Sequence, residues 1–218
     1  VQRLFIPWVI PKKEFTKYGI SEEEISQYKA IDASVIVKER SKNDLRYNFL
    51  LKKKKTILIR PEESEAAYVS DNENRITKII REIIKEFPNY NVVILGRYLP
   101  QISQLKHEFG NKVIIMNKVV DGKSLLKFVD VFIGSGGTMT AEDALMGEPT
   151  ISYDAVPNYI EQYLVKNDLV KREKNPQKIV LLVKKILKSD NKKSRNKAKK
   201  ILNSMEDPFL KLITHIRT

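Results

Sequence analysis

Short, nearly continuous apolar runs recur along this chain and constrain its fold more than any other feature. They are Thr56-Ile57-Leu58-Ile59, Asn91-Val92-Val93-Ile94-Leu95, Lys112-Val113-Ile114-Ile115-Met116, Val129-Asp130-Val131-Phe132-Ile133 and Pro149-Thr150-Ile151-Ser152. A strand with one wet face alternates apolar and polar residues, whereas a strand covered on both faces does not need to. Between these runs the period changes to that of a helix. From Asn74 to Phe87, Ile76, Ile79, Ile80, Ile83, Ile84 and Phe87 recur at helical spacing. Further helices are expected over Pro100 to Phe109, Ser124 to Phe128, Thr140 to Met146, Asn158 to Val165 and Pro176 to Leu187, with a short strand at Leu169-Val170. Strands alternating with helices predict an α/β fold: a Rossmann-like open parallel sheet with helices on both faces.

Residues 1–50 read differently. Leu4-Phe5-Ile6 reads as a lone strand, Glu14 to Tyr18 as a short helix, Ser34-Val35-Ile36-Val37 as an extended piece and Lys38 to Asn48 as a polar linker. One β-α piece cannot bury its own apolar face, so its missing neighbours are expected upstream. The chain does not begin with Met, and its first residues are already strand-like. The division expected is a last β-α unit of an upstream domain plus linker over 1–50, then a Rossmann-like domain over 51–218. The apolar side at Leu4, Ile6 and Trp8 would then be exposed or taken by a partner.

With 42% apolar residues in 218, the chain has enough to build a core, which excludes disorder throughout. It has no cysteine, so disulfides, thiolate metal sites and a Cys nucleophile are excluded, and a cytoplasmic setting is expected. No apolar run approaches a membrane span, and the start lacks a signal-peptide pattern. The net charge of +13 is concentrated in one segment. Residues 171–200 carry thirteen Lys or Arg against Glu173 and Asp190, with Lys52-Lys53-Lys54-Lys55 as a smaller cluster. Such a block suits nucleic acid, an anionic membrane surface or a solvated helix face, and the solvated face is the first expectation.

Function is concentrated in Gly134-Ser135-Gly136-Gly137-Thr138-Met139-Thr140-Ala141-Glu142, which joins a buried strand to a helix that Gly147 stops. Glycines in such a turn let ligand oxygens approach the backbone N–H groups at the positive end of the helix dipole. Phosphate binding at Ser135 to Thr138 is one expectation; a tight connection with no ligand is the other. The spacing is neither the dinucleotide G-x-G-x-x-G nor a P-loop. Ligands of open α/β sheets bind beyond the carboxyl ends of the strands. Arg60, Gly96-Arg97, Asn117 and Ser135 all fall there. Two arginines beside a helix N-terminus suit an anion. His107 and His215 are isolated, and no metal-ligand cluster is evident.

The glycine turn, Glu142 and Ala144-Leu145-Met146-Gly147-Glu148-Pro149-Thr150-Ile151 together resemble the C-terminal, nucleotide-sugar-binding half of GT-B proteins. That group includes glycosyltransferases and the non-hydrolysing UDP-N-acetylglucosamine 2-epimerases. The chain more closely resembles an uncharacterised, largely archaeal family of unknown function with this fold. Phe5-Ile6-Pro7-Trp8, Tyr28-Lys29-Ala30-Ile31-Asp32, Ile59-Arg60-Pro61-Glu62-Glu63-Ser64-Glu65-Ala66-Ala67-Tyr68 and Arg97 with Gln101 add to the likeness. The resemblance implies that Ser135, Gly136, Gly137 and Thr138, with Arg60 and Arg97, hold the diphosphate of a nucleotide-sugar, with a UDP-sugar the leading donor. It implies that Glu142 binds the ribose hydroxyls. The epimerases place a His-containing turn after the first strand of this half, and here that turn has no His.

The resemblance also implies a partner, since a GT-B cleft needs an N-terminal half. That half would come from an upstream domain or a separate chain. The leading function is therefore the donor-binding half of a metal-independent glycosyltransferase, with no cofactor beyond the donor substrate. The alternatives are a UDP-sugar 2-epimerase-like enzyme, a polyanion-binding module using residues 171–200, and a non-catalytic member of the fold. In a membrane-peripheral variant, the basic block docks on anionic lipid. Pro208 to Ile216 would be the helix that crosses back to the upstream half.

Overall fold

The computed structural model describes residues 3–39, 54–62, 73–116, 122–153 and 158–216. Its centre is a six-stranded, wholly parallel sheet built from β3 (Thr56–Ile59), β4 (Asn91–Leu95), β5 (Ile114–Met116), β6 (Val131–Gly134), β7 (Thr150–Ser152) and β8 (Val170–Arg172). The spatial order is β5-β4-β3-β6-β7-β8. The chain builds outward from β3 in one direction, returns to β6 and builds outward in the other. β3 and β6 therefore flank the point where the strand order reverses, which is where such sheets bind ligands. This is the α/β architecture expected from the sequence.

Continuous apolar strands need covers on both faces, and the helices provide them. On one face α3 (Glu73–Glu86) buries Ile76, Ile79, Ile80 and Ile83 against Ile57 and Ile59. Beside it α8 (Pro176–Lys188) buries Ile179 and Val183, and α4 (Leu99–Phe109) buries Leu105 and Phe109. On the other face α5 (Gly122–Leu126) packs Leu125 and Leu126 against Leu58, Val93 and Phe132. Each fully buried Ile or Leu contributes roughly 1.5–3 kcal/mol relative to exposure. Pro176 opens α8 behind the side-chain cap of Asn175, whose Oδ1 accepts from the Lys178 N–H.

The glycine-turn helix α6 spans Thr138–Met146, beginning two residues earlier than expected. It ends at Gly147 in the left-handed conformation, with the Gly147 N–H donating to Ala144 O and the Glu148 N–H to Asp143 O. Within α6, Asp143 is fully buried. Thr150 Oγ1 lies 2.8 Å from Asp143 Oδ2 and 2.9 Å from Glu148 O. The single Thr150 hydroxyl proton is shared between these two acceptors. Burial pushes the Asp143 carboxyl well above its ordinary 3.8 against the opposing hydrogen bond from Thr150, and Glu148 and Glu142 add to the rise. The folded state thus keeps a proton that the unfolded chain releases. Stability from this group is complete below the unfolded carboxylate range and is lost as pH rises through the folded value. Asp143→Asn, whose amide can donate to Thr150 without titrating, is expected to flatten this decline; urea midpoints at pH 5 and pH 8 measure it.

The N-terminal residues depart from expectation. β1 (Leu4–Pro7) is not alone: it pairs in parallel with β2 (Ile25–Tyr28), with α1 (Lys13–Thr16) between them. Ser34-Val35-Ile36-Val37 is not extended but lies within the helix α2 (Ala33–Lys38). Nor is the apolar side of β1 left open. Ile6 is buried, and Trp8 stacks edge-on against Tyr163 of α7 (Tyr159–Lys166) at 5.1 Å. Tyr28, Ala30, Ile31 and Ala33 form one cluster with Ala141, Ala144 and Leu145 of α6 and Ala198 of α9 (Lys192–Asn203). The boundary expected near residue 50, and most of the expected linker, lie outside the described residues. The last helix, α10 (Pro208–Ile216), meets this unit through Lys211 Nζ on Gln27 O, while Phe209 and Leu210 are exposed.

Candidate functional site

At the carboxyl edge, the loops after β3, β4, β6 and β7 are tied into one rim. Arg60 follows β3 and is half-buried; its Nη1 donates to Leu95 O at 2.7 Å and Gly96 O at 2.9 Å. It is thus anchored to backbone carbonyls of the β4 end. Arg97 follows β4. Its backbone N–H donates to Gln101 Oε1 at 3.0 Å, its Nε lies 3.5 Å from Pro61 O, and Gln101 Nε2 donates to Glu62 O at 3.1 Å. The arginine-rich rim is therefore held from below by backbone carbonyls.

Tyr153, directly after β7, is fully buried and completes the tie. Its hydroxyl accepts from the Glu62 N–H at 3.0 Å and donates to the buried Glu62 carboxylate. Its own N–H donates to Gly134 O at 3.0 Å, which joins the β3 loop to the start of the glycine turn. Burial and the neighbouring Arg97 push the Arg60 guanidinium down from its ordinary value to about 10. Two guanidinium groups close enough to repel each other form a basin for negative charge.

The turn itself sits at the β6–α6 junction. Gly136 adopts φ +84°, where only glycine is unstrained, and Gly137 is the residue before the first helical turn. Thr140 Oγ1 accepts from the Gly136 N–H at 3.2 Å and fixes the turn's shape. Gly137 and Thr138 are exposed, and Ser135 and Gly136 are half-buried, so the positive end of α6 opens to solvent. Arg97 Nη2 lies 4.0 Å from where a Cβ on Gly137 would stand. The structure thus brings Arg60, Arg97 and Ser135, Gly136, Gly137 and Thr138 to one place. Glu142, one turn further along α6, is buried, and its Oε2 lies 3.7 Å from a Cβ position on Gly122 at the start of α5.

Asn117, Asp154 and the residues up to 157 lie outside the described residues. Sequence reasoning missed Ser152, Glu161 and Arg172; it marked Asp154 to Tyr159, after the last clear strand, as a stretch in reach of a ligand and gave Asn158 no role of its own. Asn158 Nδ2 donates to Gly136 O at 3.1 Å, and buried Glu161 and half-buried Arg172 form an ion pair at 3.2 Å behind the turn. The signal for Asn158 was present: an Asn before a helix is a cap. The basic segment 171–200 is divided between α8 and α9, whose inner faces build the core. Lys171, Lys184, Lys192, Arg195 and Lys197 from this segment pair with acids. A hollow of about 440 Å³, lined by Lys54, Phe87, Tyr90, Asn91 and Lys112 among others, opens at the amino ends of the strands. That is the far side from the arginines and the α6 N-terminus.

A doubly wound parallel sheet with a glycine turn and two arginines at its switch point defines a Rossmann-like α/β protein. The chain belongs to the family described as "Protein of unknown function (DUF354)", which matches residues 1–217. An uncharacterized protein of Methanocaldococcus jannaschii, MJ0665, is 32% identical over 114 residues, covering 52% of this chain and 32% of that protein. Among solved structures, MnaA of S. aureus in a co-structure with UDP superposes with a TM-score of 0.75 at 16% identity, covering 100% of this chain and 59% of that one. The Neisseria meningitidis UDP-GlcNAc 2-epimerase bound to UDP-GlcNAc gives 0.70 at 15%, covering 100% and 62%. The glycotransferase of kitacinnamycin gives 0.63 at 12%, covering 99% and 55%. The chain therefore spans about three-fifths of the length of these structures and a smaller share of its curated relative.

Proposed function

We propose that this chain is the donor-binding half of a GT-B-type enzyme, that it takes a nucleoside-diphosphate sugar, and that glycosyl transfer is the reaction served. The observation that carries this reading is the position of Arg97. Its guanidinium stands over the positive end of α6, 4.0 Å from the Cβ position of Gly137, with Arg60 beside it. Cations are unfavourable at a helix N-terminus. Two of them there oppose one another and the dipole, and an anion of more than one charge removes the conflict. A diphosphate has the needed charge and span.

In glycosyl transfer the leaving diphosphate gains negative charge as the sugar bond breaks. Fixed donors at the turn and the two arginines would stabilise that charge without reorganising. Buried Glu142 would accept two hydrogen bonds from the ribose hydroxyls, with a UDP-sugar as the leading donor. The acceptor side of the cleft would come from an upstream domain or a separate chain. A cytoplasmic setting suits the reading, with α8 and α9 resting on an anionic membrane near a lipid-linked acceptor. UDP-sugar 2-epimerisation ranks second, because residues 60–72 contain no histidine.

The test is a thermal-shift and calorimetric panel of UDP, GDP, ADP and TDP with their sugars. One nucleotide family is expected to raise the melting temperature, with about 2.7 kcal/mol added at 100 times its Kd. Arg97→Met should weaken that ligand on the order of ten- to a hundredfold, as loss of a charge-assisted contact does. A folded wild type that responds to none of these ligands would rule out a donor site in this chain.

A further inference from the structure

Directly behind the glycine turn lies a charged pair that donor binding as described does not use. Strand register aligns Gly134 with Ser152 and Ser152 with Arg172, one row across β6, β7 and β8. Glu161, in the first turn of α7 and only 1% exposed, reaches into that row. Its Oε1 accepts from Ser152 Oγ, and its Oε2 lies 3.2 Å from Arg172 Nη1. The same carboxylate stands 3.3 Å from the position a Cβ on Gly136 would take. Asn158 links the two: its Oδ1 accepts from the Glu161 N–H at 2.8 Å, and its Nδ2 donates to Gly136 O at 3.1 Å.

A buried carboxylate this close to an anion site opposes anion binding unless a cation offsets it, because interior charges are weakly screened. We infer that Glu161 and Arg172 form a charge-neutral prop beneath the diphosphate turn. Glu161 is a positioning residue that packs against Gly136 and holds the turn in shape. Arg172 acts on the ligand only through Glu161, by cancelling its field. The inference rests on the donor reading of the turn and adds to it residues that never touch the nucleotide.

This division of roles makes the two single variants differ. Arg172→Met leaves the Glu161 charge beneath the diphosphate. Glu161→Gln keeps the side chain's shape and its bond to Ser152 while removing a negative charge. The experiment is calorimetric titration with UDP of wild type, Glu161→Gln, Arg172→Met and the double variant, each first shown to unfold cooperatively in urea. Arg172→Met is expected to weaken UDP on the order of tenfold, the effect of one uncompensated charge at this range. Glu161→Gln should bind at least as well as wild type. The double variant should return to within about twofold of wild type, a recovery that loss of packing alone would not give.

A double variant as weak as Arg172→Met overturns the inference, since Arg172 would then contact the ligand itself. If Arg172→Met does not fold, the double variant decides alone: affinity within twofold of wild type supports the prop, and a tenfold loss overturns it. A wild type that binds no nucleotide overturns the donor reading and the prop together, whereas wild-type binding without recovery in the double variant removes only the prop.

Discussion

Gly147→Ala is expected to destabilise the protein by about 2–4 kcal/mol, far more than a methyl group costs at an ordinary surface site. Gly147 has φ +80°, where an L side chain costs roughly 1–2 kcal/mol. A Cβ there would lie 2.7 Å from Arg195 Cα and 3.2 Å from Ala198 Cβ, so α9 would have to move away from α6. Ala198 is fully buried in the cluster that joins α6, α9 and the N-terminal unit, so the displacement spreads. Gly19→Ala is the control: its φ is +86°, but a Cβ would meet nothing within 4 Å. It should lose only the conformational part, about 1 kcal/mol. Urea midpoints at constant slope measure both, and equal losses would show that α9 does not pin the end of α6.

Glu142→Ala, first shown to unfold cooperatively in urea, is expected to weaken UDP at least about a hundredfold. A hydrogen bond to a charged group contributes roughly 1.5–3 kcal/mol, and the proposed role gives Glu142 two of them. The side chain is 9% exposed, so water competes poorly for its oxygens. Comparison with 2′-deoxy-UDP isolates the role. Wild type should discriminate strongly against the deoxy ligand, and Glu142→Ala should bind both alike. If Glu142→Ala keeps wild-type affinity and discrimination, the ribose assignment is wrong, even though the arginine basin remains available for diphosphate.

Much of this rim was legible because strand ends can be found without the structure. Once Thr56–Ile59, Asn91–Leu95 and Val131–Gly134 are recognised as parallel strands, Arg60, Arg97 and Ser135 must lie at one edge. What failed was local pattern where tertiary contacts prevail. Ser34-Val35-Ile36-Val37 is rich in β-branched residues and reads as extended. It is helical because Ala33 and Ser34 pack into the interior beside α6. Ile25-Ser26-Gln27-Tyr28 has apolar residues only at its two ends, so it shows neither the alternation of a half-covered strand nor a continuous apolar run. With that strand missed, β1 looked unpartnered, and its apolar side looked exposed.

The sequence by itself determined the open parallel sheet with helices on both faces, the glycine turn between a strand and a helix, and the two arginines that follow strands. Those features depend on periodicity and on which residue ends each strand, both local properties. The tertiary structure alone decided the rest. Glu161 looks in sequence like an ordinary acid in a helix's first turn, and Arg172 like one more cation in a basic segment. Only the lateral register of β6, β7 and β8 puts Ser152 and Arg172 in one row with Gly134, where Glu161 can reach them. Likewise, only burial shows that Asp143 gains from a proton while its neighbour Glu142 sits near the rim. Side-chain charge is written in the sequence; the distance between charges and their isolation from water are products of packing.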